Sequence, residues 1–76
     1  MFVYQIVESL MYHPDLNFYK TFGIRVYLST CGIYQQIGEV LDVSVDKASV
    51  ENLASSLNKN QLSPIYLMDV IEDFIG

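Results

Sequence analysis

Residues 21–29, TFGIRVYLS, decide the fold of this chain because large apolar side chains occupy every second position. Successive side chains of a β-strand point to opposite faces of the sheet. The alternation therefore predicts a strand with one face in a hydrophobic core and the other face outside it. The predicted core-facing side chains of this strand are Phe22, Ile24, Val26 and Leu28.

A hairpin turn follows, and a third strand is predicted to run to about Val43. In the sequence Ser-Thr-Cys-Gly at 29–32, Gly32 suits the left-handed position that closes a type I turn with a bulge. This turn places Arg25 close to Glu39, and a slip of one residue would exchange the two faces of the third strand. The predicted pairs are Leu28–Tyr34, Val26–Gln36, Ile24–Gly38 and Phe22–Val40.

The segment before this hairpin predicts one more strand. Residues 2–11 are rich in β-branched and aromatic types, which favour strands. Residues 12–20 are predicted to break the sheet, because Pro14 presets a turn torsion and the side chains of Asp15 and Asn17 can bond to their own backbone.

The segment after the hairpin predicts a helix from about Lys47 to Lys59. Ser44 or Asp46 is expected to cap its start, and the residues 58–60 are expected to end it because asparagine tolerates the left-handed conformation. The predicted buried stripe of this helix consists of Val50, Leu53, Ala54 and Leu57.

The residues 62–76, LSPIYLMDVIEDFIG, predict a second helix. The Ser63 hydroxyl can accept a hydrogen bond from a free backbone N–H, and Pro64 fits the first helical position, where no donor is needed. The apolar residues then recur with helical spacing. They are Leu67, Val70, Ile71 and Phe74.

These elements predict a single α+β domain over residues 1–76, with the order β-β-β-α-α. A three-stranded antiparallel meander is followed by a two-helix hairpin packed on one face. The expected core is Phe22, Ile24, Val26, Leu28, Val50, Leu53, Leu57, Leu67, Val70, Ile71 and Phe74.

Composition narrows the classes of function. The chain has 76 residues, of which 51% are hydrophobic and only 17% are charged, against roughly 25% charged in an average globular protein. One small core is not expected to hide all of this apolar surface, so a homodimer or a permanent protein partner is favoured. The net charge of −5 argues against direct nucleic-acid binding and against an anionic membrane surface.

The same sequence favours a cytoplasmic location. One cysteine cannot form an internal disulfide. No basic residue precedes Lys20, so a signal peptide is not expected, and no apolar run approaches the roughly 18 residues of a membrane span.

Catalytic chemistry finds little support in the sequence. Cys31 and His13 could form a nucleophile–base pair, but they are predicted in successive turns at opposite ends of the meander. Strand geometry places them on the order of 25 Å apart. No glycine-rich phosphate loop and no set of converging metal ligands is apparent, so no catalytic residue, no metal and no cofactor is expected.

Two surfaces are expected to bind partners. Asp69, Glu72 and Asp73 form an acidic stripe near the end of the last helix, where negative charge opposes the helix dipole by about 0.3–1 kcal/mol per residue. A basic partner would relieve this conflict, with Tyr66 at the edge of the contact; an ordinary solvated face is the alternative. Self-association is expected through the edge of the first strand or through the second sheet face, which the predicted register assigns to Tyr27, Ile33, Ile37 and Leu41.

Three segments resemble a family of small uncharacterised proteins, a domain of unknown function, from Clostridia and related Firmicutes. They are residues 40–46, residues 62–74 and Phe22-Gly23-Ile24. Two positions depart from the family pattern, since Tyr66 stands where histidine is expected and Leu57 where cysteine is expected. The resemblance implies a bacterial, cytosolic protein and no particular mechanism.

The sequence therefore predicts a non-enzymatic protein–protein interaction or regulatory module. One alternative is an inhibitor encoded by a phage or mobile element, whose acidic face would occupy a nucleic-acid channel. A second alternative is a small-molecule sensor with a pocket between the sheet and the helices.

Overall fold

The computed structural model describes all 76 residues and has the predicted α+β order β-β-β-α-α. The three strands form one antiparallel sheet in the order β1-β2-β3. The elements are β1 (Phe2–His13), β2 (Asn17–Thr30), β3 (Ile33–Ser44), α1 (Lys47–Asn60), a short 3-10 turn (Pro64–Tyr66) and α2 (Leu67–Ile75).

The hairpin between β1 and β2 is longer than its sequence predicts. The break expected over residues 12–20 is confined to the loop after His13, and Tyr12 already pairs with Phe18. Their ring centroids lie 5.2 Å apart. A left-handed Asn17, with φ 59°, lets a three-residue loop turn the chain, so no longer break is needed.

The turn between β2 and β3 differs from the predicted type I turn with a bulge. Cys31 and Gly32 both have positive φ, 52° and 80°, as in the two-residue type I′ turn. The register therefore starts one residue away from the predicted one, and two irregularities shift it further. Arg25 still faces Glu39, with 2.6 Å between Nη2 and Oε2. The observed pairs are Leu28–Gln35, Val26–Gly38, Ile24–Val40 and Phe22–Ser44.

The second irregularity is a bulge of β3 that folds against β2. Asp42 has a left-handed φ of 55°, and its carboxylate accepts hydrogen bonds from the Thr21 hydroxyl at 2.7 Å and the Tyr19 phenol at 3.0 Å. The bond to Asp42 raises the pKa of Tyr19. Gly23 is required beneath the bulge, because a Cβ there would collide with the carbonyl oxygen of Val40.

The core lies between one face of the sheet and both helices. Two expected core residues lie outside it: Leu28 is only partly buried near the β2–β3 turn, and Phe74 is 37% exposed near the end of α2. Leu53 and Val70 are partly buried against the cluster. The buried core residues are Tyr4, Phe22, Ile24, Val26, Val43, Val50, Ala54, Leu57, Leu67 and Ile71.

The two helices begin differently from the capping scheme expected of them. Asp46 occupies the N-cap position of α1, but its carboxylate accepts from the Ser49 hydroxyl at 2.6 Å, and this bond lowers the pKa of Asp46. The Ser63 hydroxyl makes no capping bond. Its backbone carbonyl instead accepts from Tyr66 N–H at 3.0 Å, which produces the 3-10 turn ahead of α2.

The end of α1 lies one residue beyond the predicted asparagines. Gln61 takes the left-handed conformation, with φ 47°. The N–H groups of Gln61 and Leu62 then donate to the carbonyls of Asn58 and Leu57, which is the Schellman arrangement. Asn58 and Gln61 are thereby placed beside the first strand of the sheet.

Candidate interaction surface

The outer edge of β1 is capped along its first residues by two side-chain amides at the end of α1. Asn58 Oδ1 accepts from Tyr4 N–H at 2.6 Å, and Asn58 Nδ2 donates to the Tyr4 carbonyl at 2.8 Å. Gln61 forms the same pair of bonds with Phe2, both at 2.9 Å. Each amide therefore occupies the place that a residue of a neighbouring strand would take. The edge is closed from Phe2 to Tyr4.

The phenol of Tyr4 strengthens this closed end. Its hydroxyl donates to the carbonyl of Leu62, just after α1, while the ring is buried in the core. Burial raises the pKa of the Tyr4 phenol. Hydrogen bonds from the end of α1 and the residues just after it thus hold the start of β1 in place. The residues that form them are Asn58, Gln61 and Leu62.

Beyond Tyr4 the edge of β1 is open. Backbone groups of a strand alternate between its two sides, and Phe2 and Tyr4 direct theirs away from β2. The same alternation directs the N–H and C=O groups of the next even-numbered residues away from β2. These residues are Ile6, Glu8, Leu10 and Tyr12.

The outer part of the β1–β2 hairpin, residues 10–20, extends past the helices and is called the arm below. It contributes to an elongated molecule, 45 × 24 × 20 Å. Because β3 stops pairing at Ser44, opposite Phe22, the arm has only two strands. Its large apolar side chains are between 62% and 70% exposed. They are Leu10, Tyr12, Leu16 and Phe18.

A groove lies where the closed edge gives way to the open one. It has a volume of about 480 Å³ and is bounded by Ile6 on β1 and by Ala54 and Asn58 on α1. Glu51 and Ser55 add a carboxylate and a hydroxyl to its wall. The groove therefore combines apolar side chains with hydrogen-bond acceptors, a lining that suits an aromatic ring with a polar end.

The second sheet face, which no helix covers, differs from its predicted composition. Ile33 pairs with Thr30, so it lies on the helix-side face and not beside Tyr27. The cause is the type I′ turn, which moved β3 by one residue. Tyr34 takes its place and borders a depression of about 300 Å³ with Tyr27 and Val3. Ile37 is exposed at the first irregularity of β3.

The acidic stripe lies on the exposed surface of α2. Asp69, Glu72 and Asp73 are exposed and form no ion pair with any basic side chain. Tyr66 is exposed one turn earlier, in the 3-10 segment. Asp69 lies in the first turn of α2, because α2 begins at Leu67 after the 3-10 segment, so the expected conflict with the helix dipole applies to Glu72 and Asp73 and not to Asp69. No basic residue lies in the last turn of the helix. The spacing of the four residues places them along one side of this segment.

The Cys31 and His13 side chains do not come together. Cys31 is exposed in the β2–β3 turn, whereas His13 ends β1 at the other end of the sheet. His13 Nδ1 accepts instead from the backbone N–H of Asp15 at 3.1 Å. No group of three or more histidine, cysteine or acidic side chains is arranged to hold a metal ion. None of the helices has the length and apolarity needed to cross a membrane.

The sequence model of a family of unknown function, DUF6514, matches residues 1–76. The chain belongs to this family. A search of the curated proteins finds no match, and a search of the solved structures finds none either.

In this family member, sequence reasoning missed the arm and the amide caps. The signal for the arm was present, because Leu10, Tyr12 and Phe18 continue the even-numbered apolar pattern of the two strands. The turn-forming residues between Tyr12 and Phe18 obscured this signal. Asn58 and Gln61 carry no comparable signal, since polar residues at the end of a helix are typical of solvent-exposed positions.

Proposed function

We propose that this protein is a non-enzymatic protein–protein interaction or regulatory module of a bacterial cytosol, from Clostridia or related Firmicutes. The observation that carries the proposal is the arm, in which Leu10, Tyr12, Leu16 and Phe18 are exposed together. Stable monomers rarely leave large apolar patches in contact with water, and such patches commonly mark binding surfaces.

The construction of the arm supports the same function. A two-stranded hairpin on its own is at best marginally stable in water. In the rest of the molecule a third strand and two helices supply the missing contacts. The arm lacks both, so a partner that adds a strand or an apolar surface would stabilise it.

The acidic stripe on α2 is proposed as a second docking surface. Asp69, Glu72 and Asp73 form no ion pair within the chain. Glu72 and Asp73 lie in the second half of α2, towards the end at which the helix dipole disfavours negative charge, whereas Asp69 lies in the first turn. A partner with a basic surface would offset this repulsion, with Tyr66 in contact at the margin. Charges at such a rim act mainly on association rate and salt dependence.

Affinity purification from a native host, with quantitative mass spectrometry, tests the proposal. The bait is compared with a Leu16→Ser/Phe18→Ser variant of the arm and with an Asp69→Lys/Glu72→Lys/Asp73→Lys variant of the stripe. We expect a discrete set of proteins that the arm variant loses. The stripe variant is expected to recover less of a partner whose binding to the wild type weakens as salt rises.

Circular dichroism and melting curves of both variants serve as the control for folding. Equal recovery of the same proteins by all three folded baits, at equal salt sensitivity, would contradict both docking surfaces. Capture of a nucleic-acid-processing enzyme through the acidic stripe would favour the alternative of a phage or mobile-element inhibitor.

A further inference from the structure

We propose that a second copy of this chain occupies the open edge of β1, so that two β1 strands pair antiparallel about a two-fold axis and join the sheets into one of six strands. The inference rests on the proposed function and specifies the partner of one of its surfaces. Its basis is the free stretch of β1 edge, which is closed at both ends and complementary to itself.

Residues of the chain itself limit the free stretch of β1 at both ends. Towards the start of β1, Asn58 already bonds to both outward groups of Tyr4. Past the end of β1, the next even-numbered residue is Pro14, which has no N–H to donate. Only four outward-facing residues lie between these limits, and a second strand has to pair with them. They are Ile6, Glu8, Leu10 and Tyr12.

One antiparallel register pairs all four residues on both copies. Ile6 lies opposite Tyr12 of the second copy, and Glu8 lies opposite Leu10 of the second copy. Each such pair exchanges two backbone hydrogen bonds. The two-fold axis passes beside Ser9, which then faces Ser9 of the second copy. Each Glu8 keeps Lys20 of its own chain nearby, with 3.8 Å between Oε1 and Nζ.

The neighbouring registers are poorer. A shift in one direction places Glu8 opposite Glu8 of the second copy, and like charges directly opposite each other destabilise a sheet. It also places Tyr12 opposite Tyr4, whose backbone groups are occupied. A shift in the other direction places Ile6 opposite Pro14, which cannot donate. The central register is therefore favoured.

Side chains on the helix-covered side complete the fit. In the central register, Tyr12 of the second copy stands beside Ile6, on the side of the sheet that carries α1. This position is the mouth of the groove of about 480 Å³ between Ile6 and Ala54. The ring can enter the groove, where Glu51 and Ser55 offer acceptors for its hydroxyl. The symmetric pair would contain two such contacts, one for the Tyr12 of each copy, and this side chain is exposed in the isolated chain.

The other edge of the arm is a weaker candidate. On β2 the residues that precede Phe22 have no β3 partner. Only two of them, Phe18 and Lys20, direct their backbone N–H and C=O groups away from β1. The free edge of β1 has four outward-facing residues, twice as many as the free edge of β2. Pairing through β1 also gives each arm the third strand that it lacks.

A cysteine placed at the two-fold axis tests the register. In a Cys31→Ser background, a Ser9→Cys variant would bring its two copies to a Cα separation of about 4.5 Å, within the range of a disulfide. We expect a disulfide-linked dimer on mild oxidation at micromolar concentration. A Val7→Cys variant in the same background is the matched control, because its copies lie four residues apart along the strands and should remain unlinked.

A proline on the outward-facing backbone tests the edge without a crosslink. Leu10→Pro removes an N–H that the β1–β2 ladder does not use, a position that tolerates proline in an edge strand. Leu10→Thr is its control, since it removes the same side chain and keeps the N–H. By sedimentation equilibrium we expect Leu10→Pro to weaken the dimer at least about tenfold more than Leu10→Thr, since two hydrogen bonds are lost in the symmetric pair.

Failure of this inference is distinguishable from failure of the proposed function. A monomer at micromolar concentration, or a dimer that Ser9→Cys does not crosslink and Leu10→Pro does not weaken, overturns the inference. In either case, proteins captured from the host through the arm would still support an interaction module. A dimer weakened only by substitutions at Tyr27 and Tyr34 would assign self-association to the second sheet face.

Discussion

The first strand runs through two different environments, and the contrast between them accounts for the character of the molecule. At its start, the side chains of Phe2 and Tyr4 lie against the core, and the outer edge is capped by Asn58 and Gln61. In the arm, the same strand carries Leu10 and Tyr12 in contact with solvent. The alternation of side chains is unchanged. Only the elements packed against the strand differ.

The comparison shows that burial in this chain follows the part of the sheet that the helices cover. The two helices cover the end of the sheet at which three strands pair, and there the even-numbered apolar residues form the core. The hairpin of β1 and β2 is longer than that covered area, so its apolar pattern continues into solvent. The arm therefore continues the apolar pattern of the core in a part of the sheet that no helix covers.

The largest difference between the two regions should appear in stability. Ile24→Ala removes a fully buried side chain and is expected to cost about 2–5 kcal/mol of unfolding free energy. Leu16→Ala removes a side chain of the same size from the exposed tip of the arm and should stay within about 0.5 kcal/mol. Urea unfolding of both variants measures this contrast. Similar costs at the two positions would mean that the arm has a core of its own.

A substitution at the boundary between the two regions should reduce the free energy of unfolding nearly as much as Ile24→Ala. Gly23→Ala would force the β3 bulge away from β2, because the new Cβ meets the backbone of Val40 and Leu41. We expect a loss of about 1–3 kcal/mol, as for other overpacked sites. Gly38→Ala is the control, since its Cβ would meet only the Cγ1 atom of Val26, at 3.1 Å. The account of the bulge is wrong if the control is the more destabilised of the two in thermal melts.

The amide cap should contribute an amount in the same range as the bulge. Asn58→Ala leaves both outward groups of Tyr4 without partners and is expected to cost about 1–3 kcal/mol. Asn60→Ala serves as the control because the Asn60 amide bonds only within α1, to Ser56. Equal stability of the two variants in chemical denaturation would show that water replaces the cap at no cost, and the distinction between closed and open edge would lose its energetic basis.

The smallest expected effect is a pH dependence at the start of α1. The Ser49 hydroxyl lowers the pKa of Asp46 below its ordinary value of 3.8, so this bond stabilises the folded state above that pH and is lost as the pH falls through the lowered pKa. The wild type should therefore be more stable than Ser49→Ala at neutral pH, with the gap closing in acid. A gap that widens in acid would contradict the assignment.

The sequence predicts the element order because each element carries its own periodicity. Phe22, Ile24 and Val26 mark β2, and Val50 and Leu57 mark α1, whatever their neighbours do. The register of β3 could not be predicted in the same way, since it depends on whether Cys31 adopts a left-handed conformation. A single cysteine in a turn gives no signal for that choice, and the error placed Ile33 on the wrong face.

The candidate surface was predicted only in part. Surplus apolar composition favoured self-association, and the edge of the first strand was one of the two expected routes. Which part of that edge is open depends on Asn58 and Gln61, whose contacts with β1 span more than fifty residues of chain. Such contacts follow from the packing of α1 and leave no local pattern in the sequence.

Residue-resolved amide hydrogen exchange, measured at several protein concentrations, tests the central claim most directly. The account predicts that the amides of Phe2 and Tyr4 are protected at every concentration, because Gln61 and Asn58 bind them. The amides of Glu8, Leu10 and Tyr12 should exchange rapidly in dilute solution and become protected as the concentration rises. Protection of these three amides that does not change with concentration, or rapid exchange at Phe2 and Tyr4, would contradict the account.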